Sequence, residues 1–543
     1  MKFGLLNKIA LSAVLALAVC LSFRGEIILN GDGLEYIVQT QSLVFDRSLS
    51  IETSKRSEYW NQTNPFERLL QETAPPLHEL SEQAQALGGF GGLYPDRFGD
   101  WRYYHFFTYA LFAAPLYWLF HFGQPLLVVN EYEIFRVFNI ICLVFPLLYL
   151  GLQRTSLVTV ITAILLFLSP LIPYTDWQHP ELLLFALILF SLSLALSPRY
   201  APFAPVVLGI AATQNIPIAL FFPLLALLSV ENYGVHYVIS RKCLAGYFFG
   251  AAVSLIPFAY YEYFFGVRSV IEAIGQASIS HASVTRVIEL FVGPMVGAVW
   301  SFPAVFFLAA SLSRRGILLS LVSFVSIFWA TWLCTATVNI NSGNLGSSRY
   351  MVWLLAPLVF FLFHPRFRLQ HLGKNIRSLA FVVGIFVTLY VTSHFHLYEL
   401  PEKRVARFIH KNRAQPEVAS LYRYLGLRDD IEVFAENVRG EEFSSPQAFN
   451  GVYIWNATPE LSYWLVSKRA LRDSGTLRWS PSNNLSLHFS AREFSRTAQG
   501  FELDPRDERP FERHPVLGSY LFFSIPTSVR PEEIKSRAQI FIR

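Results

Sequence analysis

A succession of apolar runs, each long enough or nearly long enough to cross a bilayer, constrains this chain most. They occupy residues 134–152, 156–173, 181–197, 244–265, 288–311, 317–338, 350–363 and 378–393, with another at 5–23. About 20 apolar residues span the hydrocarbon, and a backbone buried there must satisfy its own hydrogen bonds. A series of such runs therefore implies a polytopic α-helical membrane protein. Composition agrees: 53% of residues are hydrophobic and only 15% charged, against about 25% charged in a soluble domain. The 49 Phe, 25 Tyr and 11 Trp suit a bilayer core and its interfacial belts. The net charge of +5 is spread in ones and twos, so no nucleic-acid partner is expected, whereas membrane lipid is. Cys20, Cys142, Cys243 and Cys334 each lie in an apolar run without metal-ligand spacing and read as core thiols.

Topology follows from the basic residues. Residues 1–23 read as a first transmembrane helix after Lys2 and Lys8 rather than a cleaved signal. The stretch 203–230 is interrupted by Thr213, Gln214 and Asn215 before Pro217, which predicts two short helices meeting outside. Segment 103–122 is ambiguous: apolar, but carrying His105, Pro115 and His121. If it lies along the outer surface, the inside turns hold Arg154, Arg199, Arg241, Lys242, Arg314 and Arg315; if it spans, they mostly face out. The interfacial placement satisfies the positive-inside rule. The expected organisation is a first extracytoplasmic loop at 24–133 containing the interfacial helix 103–122, and a transmembrane domain at 134–395. A small extracytoplasmic α+β domain at 396–543 completes the chain, with about eleven spans in all. In the tail, a helix over Glu402–Tyr424 and strands at Ile431–Ala435, Val452–Trp455, Leu485–Phe489, Tyr520–Ile525 and Gln539–Ile542 are predicted.

Polar residues gather at the outer ends of these runs. Asn30-Gly31-Asp32-Gly33-Leu34-Glu35-Tyr36 follows the first span. Asp32 is a good helix cap, and equally a general base toward a hydroxyl, with Glu35 beside it. Asp176, His179 and Glu181 crowd a short connector, where interfacial capping competes with a substrate role. Gly343-Asn344-Leu345-Gly346-Ser347-Ser348-Arg349-Tyr350 could cradle a phosphate through Arg349, or Arg349 could simply snorkel to the surface. Arg268, His281 and Arg286 are weaker versions of the same idea.

The order of a short inside tail, one span, an acidic outer loop, an aromatic interfacial helix and many further spans resembles the GT-C superfamily of membrane glycosyltransferases. Protein mannosyltransferases and lipid A aminoarabinose transferases belong to that superfamily. The closest likeness is to bacterial members with G-D-G-x-x-Y and S-L-x-x-D-x-x-L, matched by Gly31–Tyr36 and Ser42–Leu49. The resemblance covers roughly residues 1–395. It implies inverting transfer from a polyprenyl-phosphate-linked sugar to a glycan, lipid or protein acceptor, in a bacterial inner membrane. Asp32 takes the base position with Glu35 as understudy, while Arg349 and Arg268 hold the donor phosphate. Tyr36, His105, Asp176, His179, Glu181 and Asn215 are then the expected lining of the substrate cavity. This chain departs from the family in separating its two acids and in reading Ala113-Ala114-Pro115-Leu116 where many members have Pro-Pro-Leu. The family has metal-dependent and metal-free members; no cofactor is expected here. Rival readings are a polysaccharide or lipid transporter or flippase, which predicts charges deep in spans and paired broken helices, and a non-enzymatic envelope assembly protein.

Overall fold

Helix Arg314–Cys334 is inside out relative to a helix of a water-soluble protein. Ile317, Leu318, Leu321, Val325 and Trp329 are exposed, while Ser320, Ser323, Ser326 and Thr331 are buried. The buried hydroxyls of Ser323 and Thr331 donate to the carbonyls of Leu319 and Ile327 at 2.7 Å. Such a helix belongs in hydrocarbon, where an exposed Leu costs nothing and every polar group needs a protein partner. Arg241–Phe265 likewise exposes Leu244, Phe248, Phe249, Leu255 and Ile256.

This computed structural model describes residues 2–23, 33–50, 93–122, 131–153, 157–167, 171–273, 277–292, 298–302, 313–337 and 349–364, a few isolated positions, and short strands between 447 and 526. Among the described residues, five helices are long and apolar enough to cross a membrane: Leu5–Ser22, Tyr132–Gly151, Ile216–Tyr233, Arg241–Phe265 and Arg315–Cys334. Thr108–Phe120, Glu181–Leu194, Ala201–Gln214 and Arg349–Phe363 are shorter and apolar. The expected run at 156–173 contains the helix Leu157–Phe167, and that at 288–311 overlaps Val284–Val292 and Ala298–Ser301. The expected run 378–393 and the expected helix Glu402–Tyr424 lie outside the described residues. Contacts divide the chain into two units, Met1–Ser81 with Gly89–Arg404, and Glu82–Gly88 with Val405–Arg543.

In the first unit, small residues set how closely the helices approach. Helix Ala204–Gln214 packs against Arg241–Ser254 so tightly that a Cβ on Gly209 would meet the Gly250 carbonyl. A Cβ on Gly246 would meet the Pro202 carbonyl, and one on Gly151 would strike Leu11 of the first helix. Close backbone approach through glycine is the usual way membrane helices gain dispersion contact. The 203–230 stretch does break where its sequence indicates: Ala204–Gln214 ends, Asn215 is extended (φ −146°, ψ 100°), and a 3₁₀ turn Ile216–Phe221 leads into Phe222–Tyr233.

Helix Thr108–Phe122 crosses the head of helix Glu131–Gln153 instead of running alongside it. Tyr109 and Tyr117, about two turns apart, both reach the same Phe135 ring, at centroid distances of 6.0 and 6.2 Å. Helix Gly33–Gln41 lies beside the crossing helix, with Tyr36 against Tyr109 and Gln41 donating to the Tyr117 hydroxyl at 3.2 Å. The motif stretch that follows makes a single π turn, Ser42–Asp46, ended by Arg47 in the left-handed region (φ 53°). A hairpin of β1 (Leu93–Pro95) and β2 (Trp101–Tyr103) precedes the crossing helix. Asp96 builds its turn, accepting from the backbone N–H of Phe98 and Asp100 and pairing with Arg102 at 2.6 Å. The Arg97 N–H donates to the Phe264 carbonyl and so ties the hairpin to the end of Ile256–Phe265.

In the second unit β3 (Gln447–Phe449), β4 (Val452–Thr458), β5 (Leu461–Ser467) and β8 (Tyr520–Pro526) form an antiparallel sheet in the order β3-β4-β5-β8. A separate hairpin pairs β6 (Thr476–Trp479) with β7 (Leu487–Ser490). The predicted strands at Val452, Leu485 and Tyr520 thus correspond to β4, β7 and β8, and β3, β5 and β6 are additional. Those predicted at Ile431–Ala435 and Gln539–Ile542 lie outside the described residues.

Candidate functional site

The connector between Leu157–Phe167 and Glu181–Leu194 is held from below by the head of helix Glu131–Gln153. Asn139 Nδ2 donates to the Trp177 carbonyl at 2.7 Å and its Oδ1 accepts from Tyr109 Oη at 2.9 Å. Arg136, one turn earlier, lies 3.0 Å from Asp176 through Nε and 2.9 Å from Glu133 through Nη1. Glu133, Arg136 and Asn139 recur at the spacing that lines one helix face. Burial pushes the Asp176 carboxyl up to about 7 from its ordinary 3.8, with Arg136 opposing the rise and Glu133 adding to it.

Pinned in this way, the connector delivers His179 and Glu181 to a buried pair in which His179 Nδ1 lies 3.0 Å from Glu181 Oε2. Arg349, the first residue of Arg349–Leu354, closes the group, its Nη1 3.0 Å from His179 Nε2 and its Nε 3.6 Å from Glu181 Oε1. The other half of the cluster comes from the first loop. Glu35 is buried and its Oε2 lies 2.9 Å from His105 Nδ1. The Gln39 side chain donates to the His105 carbonyl at 3.3 Å, fixing that backbone. Tyr36 joins the halves: its ring centroid is 5.6 Å from that of His105 and 5.7 Å from that of His179. At the start of its helix, a Cβ on Gly33 would touch the buried Gln178 side chain at 3.4 Å, so the helix entry abuts the connector.

Of the residues expected from sequence, Glu35, Tyr36, His105, His179, Glu181 and Arg349 therefore come together, and Asp176 sits at the adjoining turn. Asp32 lies outside the described residues. Asn215 shapes the backbone break, but the side chains that reach the cluster are its neighbours. Gln214 Nε2 donates to Tyr36 Oη at 3.1 Å, its Oε1 accepts from the Tyr109 N–H, and Thr213 bonds to Thr108. Arg268 does not join: it is exposed in the loop after Ile256–Phe265 and, among the described residues, makes no contact with the Glu181–Arg349 group. An exposed cation is well solvated where it stands, so nothing requires it to be drawn into a buried cluster. Arg286 is engaged elsewhere, donating to the Thr335 and Thr337 carbonyls at 2.7 and 3.0 Å, where the last carbonyls of Arg314–Cys334 favour a cation. Arg136, Asn139, Tyr109 and Gln214 are the residues that sequence reasoning missed. The polar i, i+3, i+6 stripe at the head of an otherwise apolar span was the available signal for two of them.

Among the described residues, Arg315 stands at the opposite end of helices Phe222–Tyr233 and Arg314–Cys334. Arg315 pairs with Glu231 at 3.4 Å and bonds to Asn232, and the Ser313 N–H donates to the Phe367 carbonyl. The clustered carboxylates, imidazoles and guanidinium can move a proton and hold an anion in one place. Among the described residues, no group of three or more His, Cys, Asp or Glu side chains is arranged to hold a metal ion. No family model, curated protein or solved structure matches the chain.

Proposed function

We propose that the chain is an inverting membrane glycosyltransferase that moves a sugar from a polyprenyl-phosphate donor to an acceptor hydroxyl on the extracytoplasmic face. One observation carries this reading. First-loop carboxylate chemistry, at Glu35–His105, meets a late-chain guanidinium, at His179–Glu181–Arg349, across the single ring of Tyr36. A lipid-linked donor needs that combination at the membrane boundary: a base for the acceptor and a cation for the phosphate.

In this scheme Asp32 takes the proton of the acceptor hydroxyl. The oxygen attacks the anomeric carbon from the face opposite the phosphate. The carbon–oxygen bond to phosphate breaks with its electron pair going to the phosphate, and polyprenyl phosphate leaves. Arg349 stabilises the charge that develops there. Glu35, held by His105, orients the helix that starts just after Asp32 and is the next carboxylate available as base.

The remaining expectations are part of the same proposal: about eleven spans, an inside amino terminus, and an outside tail forming an α+β domain. They are supported by the helix directions. Glu131–Gln153, Glu181–Leu194, Phe222–Tyr233 and Arg349–Phe363 run away from the cluster, while Ala204–Gln214, Arg241–Phe265 and Arg314–Cys334, whose last residue lies near Arg349, run toward it. Basic turns then lie opposite the cluster, as the positive-inside rule asks of a cluster facing out. The crossing of Thr108–Phe122 over a helix head supports its interfacial placement. Bacterial inner membrane remains the setting the family likeness implies.

The test is sugar transfer by the purified chain in lipid, with a panel of polyprenyl-phosphate sugars. Turnover of one donor, reduced about 10²–10⁴-fold in Asp32→Asn, is the expected result. Undiminished turnover in that variant moves the base to Glu35 or Asp176. No turnover and no binding of any donor overturns the enzyme reading in favour of transport or assembly.

A further inference from the structure

At the helix ends away from the Glu181–Arg349 group, three chain segments close around Tyr237. Helix Glu181–Leu194 carries the chain about 20 Å from that group before the turn that holds Pro198 and Arg199. Tyr237, in the short helix Val235–Val238, donates through Oη to the Pro198 carbonyl and lies against the Cys243 thiol. Its own carbonyl accepts from the Ser240 N–H at 3.1 Å, so the start of Arg241–Ser254 comes beside the same turn. A Cβ on Gly246 would meet the Pro202 carbonyl, and Lys242 stands one turn earlier on that face of the helix. Arg199, Arg241 and Lys242 are thereby gathered from two stretches about 40 residues apart.

These three cations are uncompensated. Each is exposed, and among the described residues none pairs with a carboxylate, whereas Arg102, Arg136 and Arg349 all do. From Leu182 to Tyr261 the sequence holds one acidic residue, Glu231. Arg315 occupies it, with Nε 3.4 Å from its carboxylate and Nη2 2.8 Å from its carbonyl. We propose that Arg199, Arg241 and Lys242 seat the headgroup of an anionic phospholipid whose acyl chain lies along the same helix. Arg241, Leu244 and Phe248 recur at i, i+3 and i+7 and so share one stripe. Leu244 and Phe248 are exposed, as are Tyr200 and Phe203 beside the turn. That stripe belongs to the apolar exposed side of Arg241–Phe265, so the seat continues the surface that this span turns to hydrocarbon.

The chemistry suits a phosphodiester at a membrane boundary. Each guanidinium can take two phosphate oxygens as a bidentate pair, and the Lys242 ammonium adds a point charge. Arg199 Cζ lies 5.4 Å from the Tyr200 ring centroid, which steadies that guanidinium without using its N–H groups. Near an anionic leaflet a basic residue gains about fivefold in binding, so three give on the order of 10²-fold. Cations that serve the positive-inside rule alone can stand anywhere along the inside turns. Here the fold draws three of them together over an apolar stripe, the pattern of one lipid's headgroup and tail. The seat lies at the far ends of the helices from the proposed donor site and is independent of the transferase reading.

The experiment is native mass spectrometry of the full chain in non-ionic detergent, titrated with dioleoyl phosphatidylglycerol and, separately, dioleoyl phosphatidylcholine. It counts the lipids bound and gives Kd for the first of each. Wild type is expected to bind the first phosphatidylglycerol about 10²-fold tighter than the first phosphatidylcholine. Arg199→Gln, Arg241→Gln and Lys242→Gln should each lose about fivefold of that preference, and the triple variant nearly all of it. These positions are exposed, so the substitutions leave the fold intact. Lys8→Gln removes an exposed cation from the first helix and should leave the preference unchanged. Equal affinity for the two lipids in wild type overturns the seat. So does a preference that survives in the triple variant, or one that falls as far in Lys8→Gln as in Lys242→Gln. Glycerophosphoglycerol, the same headgroup without tails, should compete only weakly; its displacing the lipid at equal concentration overturns the assignment in favour of a soluble phosphate ligand.

Discussion

Replacing Arg136 by Met should destabilise the protein strongly at high pH and little at low pH. The Arg136 side chain is 4% exposed and lies 3.0 Å from Asp176, itself 7% exposed. Burial raises the Asp176 carboxyl from 3.8 to about 7 even with that guanidinium in place. The sign follows: between those values the folded state keeps a proton that the unfolded chain has released, so wild type loses stability as pH climbs toward 7 and no further above it. An opposite charge at this distance lowers a carboxyl pKa by about 1–3. Removing Arg136 therefore extends the loss above pH 7, to about 1.3–2.7 kcal/mol at pH 9 on a scale of 1.36 kcal/mol per pKa unit, the upper figure being set by the two pH units between 7 and 9. At pH 6 Asp176 is mostly protonated with or without its partner. What remains there is the bond to the half-exposed Glu133, worth up to about 1 kcal/mol. Thermal unfolding in detergent, followed by tryptophan fluorescence at both pH values with the buried Trp177 as a nearby reporter, measures the difference. An equal loss at pH 6 and pH 9 would refute the electrostatic reasoning and leave Arg136 as packing alone.

Other substitutions test the packing, the solvent and the site. Gly250→Leu forces a side chain into the contact with the Pro205 carbonyl and Phe222, and should cost about 1–3 kcal/mol in the same unfolding measurement; an unchanged midpoint would mean these helices do not meet there. Leu321→Arg puts a charge on an exposed apolar face; if that face meets lipid, insertion of this span should worsen by about 2.5–3.5 kcal/mol in a glycosylation-tag assay, and equal insertion would argue against it. Glu35→Gln keeps the shape beside His105 but removes the charge, and should lower kcat for sugar transfer about 10–100-fold with KM little moved; a raised KM at constant kcat would make Glu35 a binding residue instead.

What the sequence determines by itself here is the solvent and the punctuation. Apolar runs with few charges specify hydrocarbon surroundings, and Thr213-Gln214-Asn215 before Pro217 breaks a span, because both follow from neighbours along the chain. It also indicates which polar stretches stand at helix ends, including the connector around Asp176 and the approach to Arg349. Tertiary structure decides which of them meet. Glu35 finds His105 at a separation of 70 residues, and Arg349 finds His179 at 170. Periodicity identifies the face a helix buries but not the distant segment that will cover it, so Gln214 rather than Asn215 reaching Tyr36 could not be read from spacing. Arg136 pairing with Asp176, and Arg286 capping a helix end while Arg268 stays in water, are of the same kind. Each is a competition among partners that the fold alone brings within reach, and at these distances a few ångströms decide whether a charge is held or solvated.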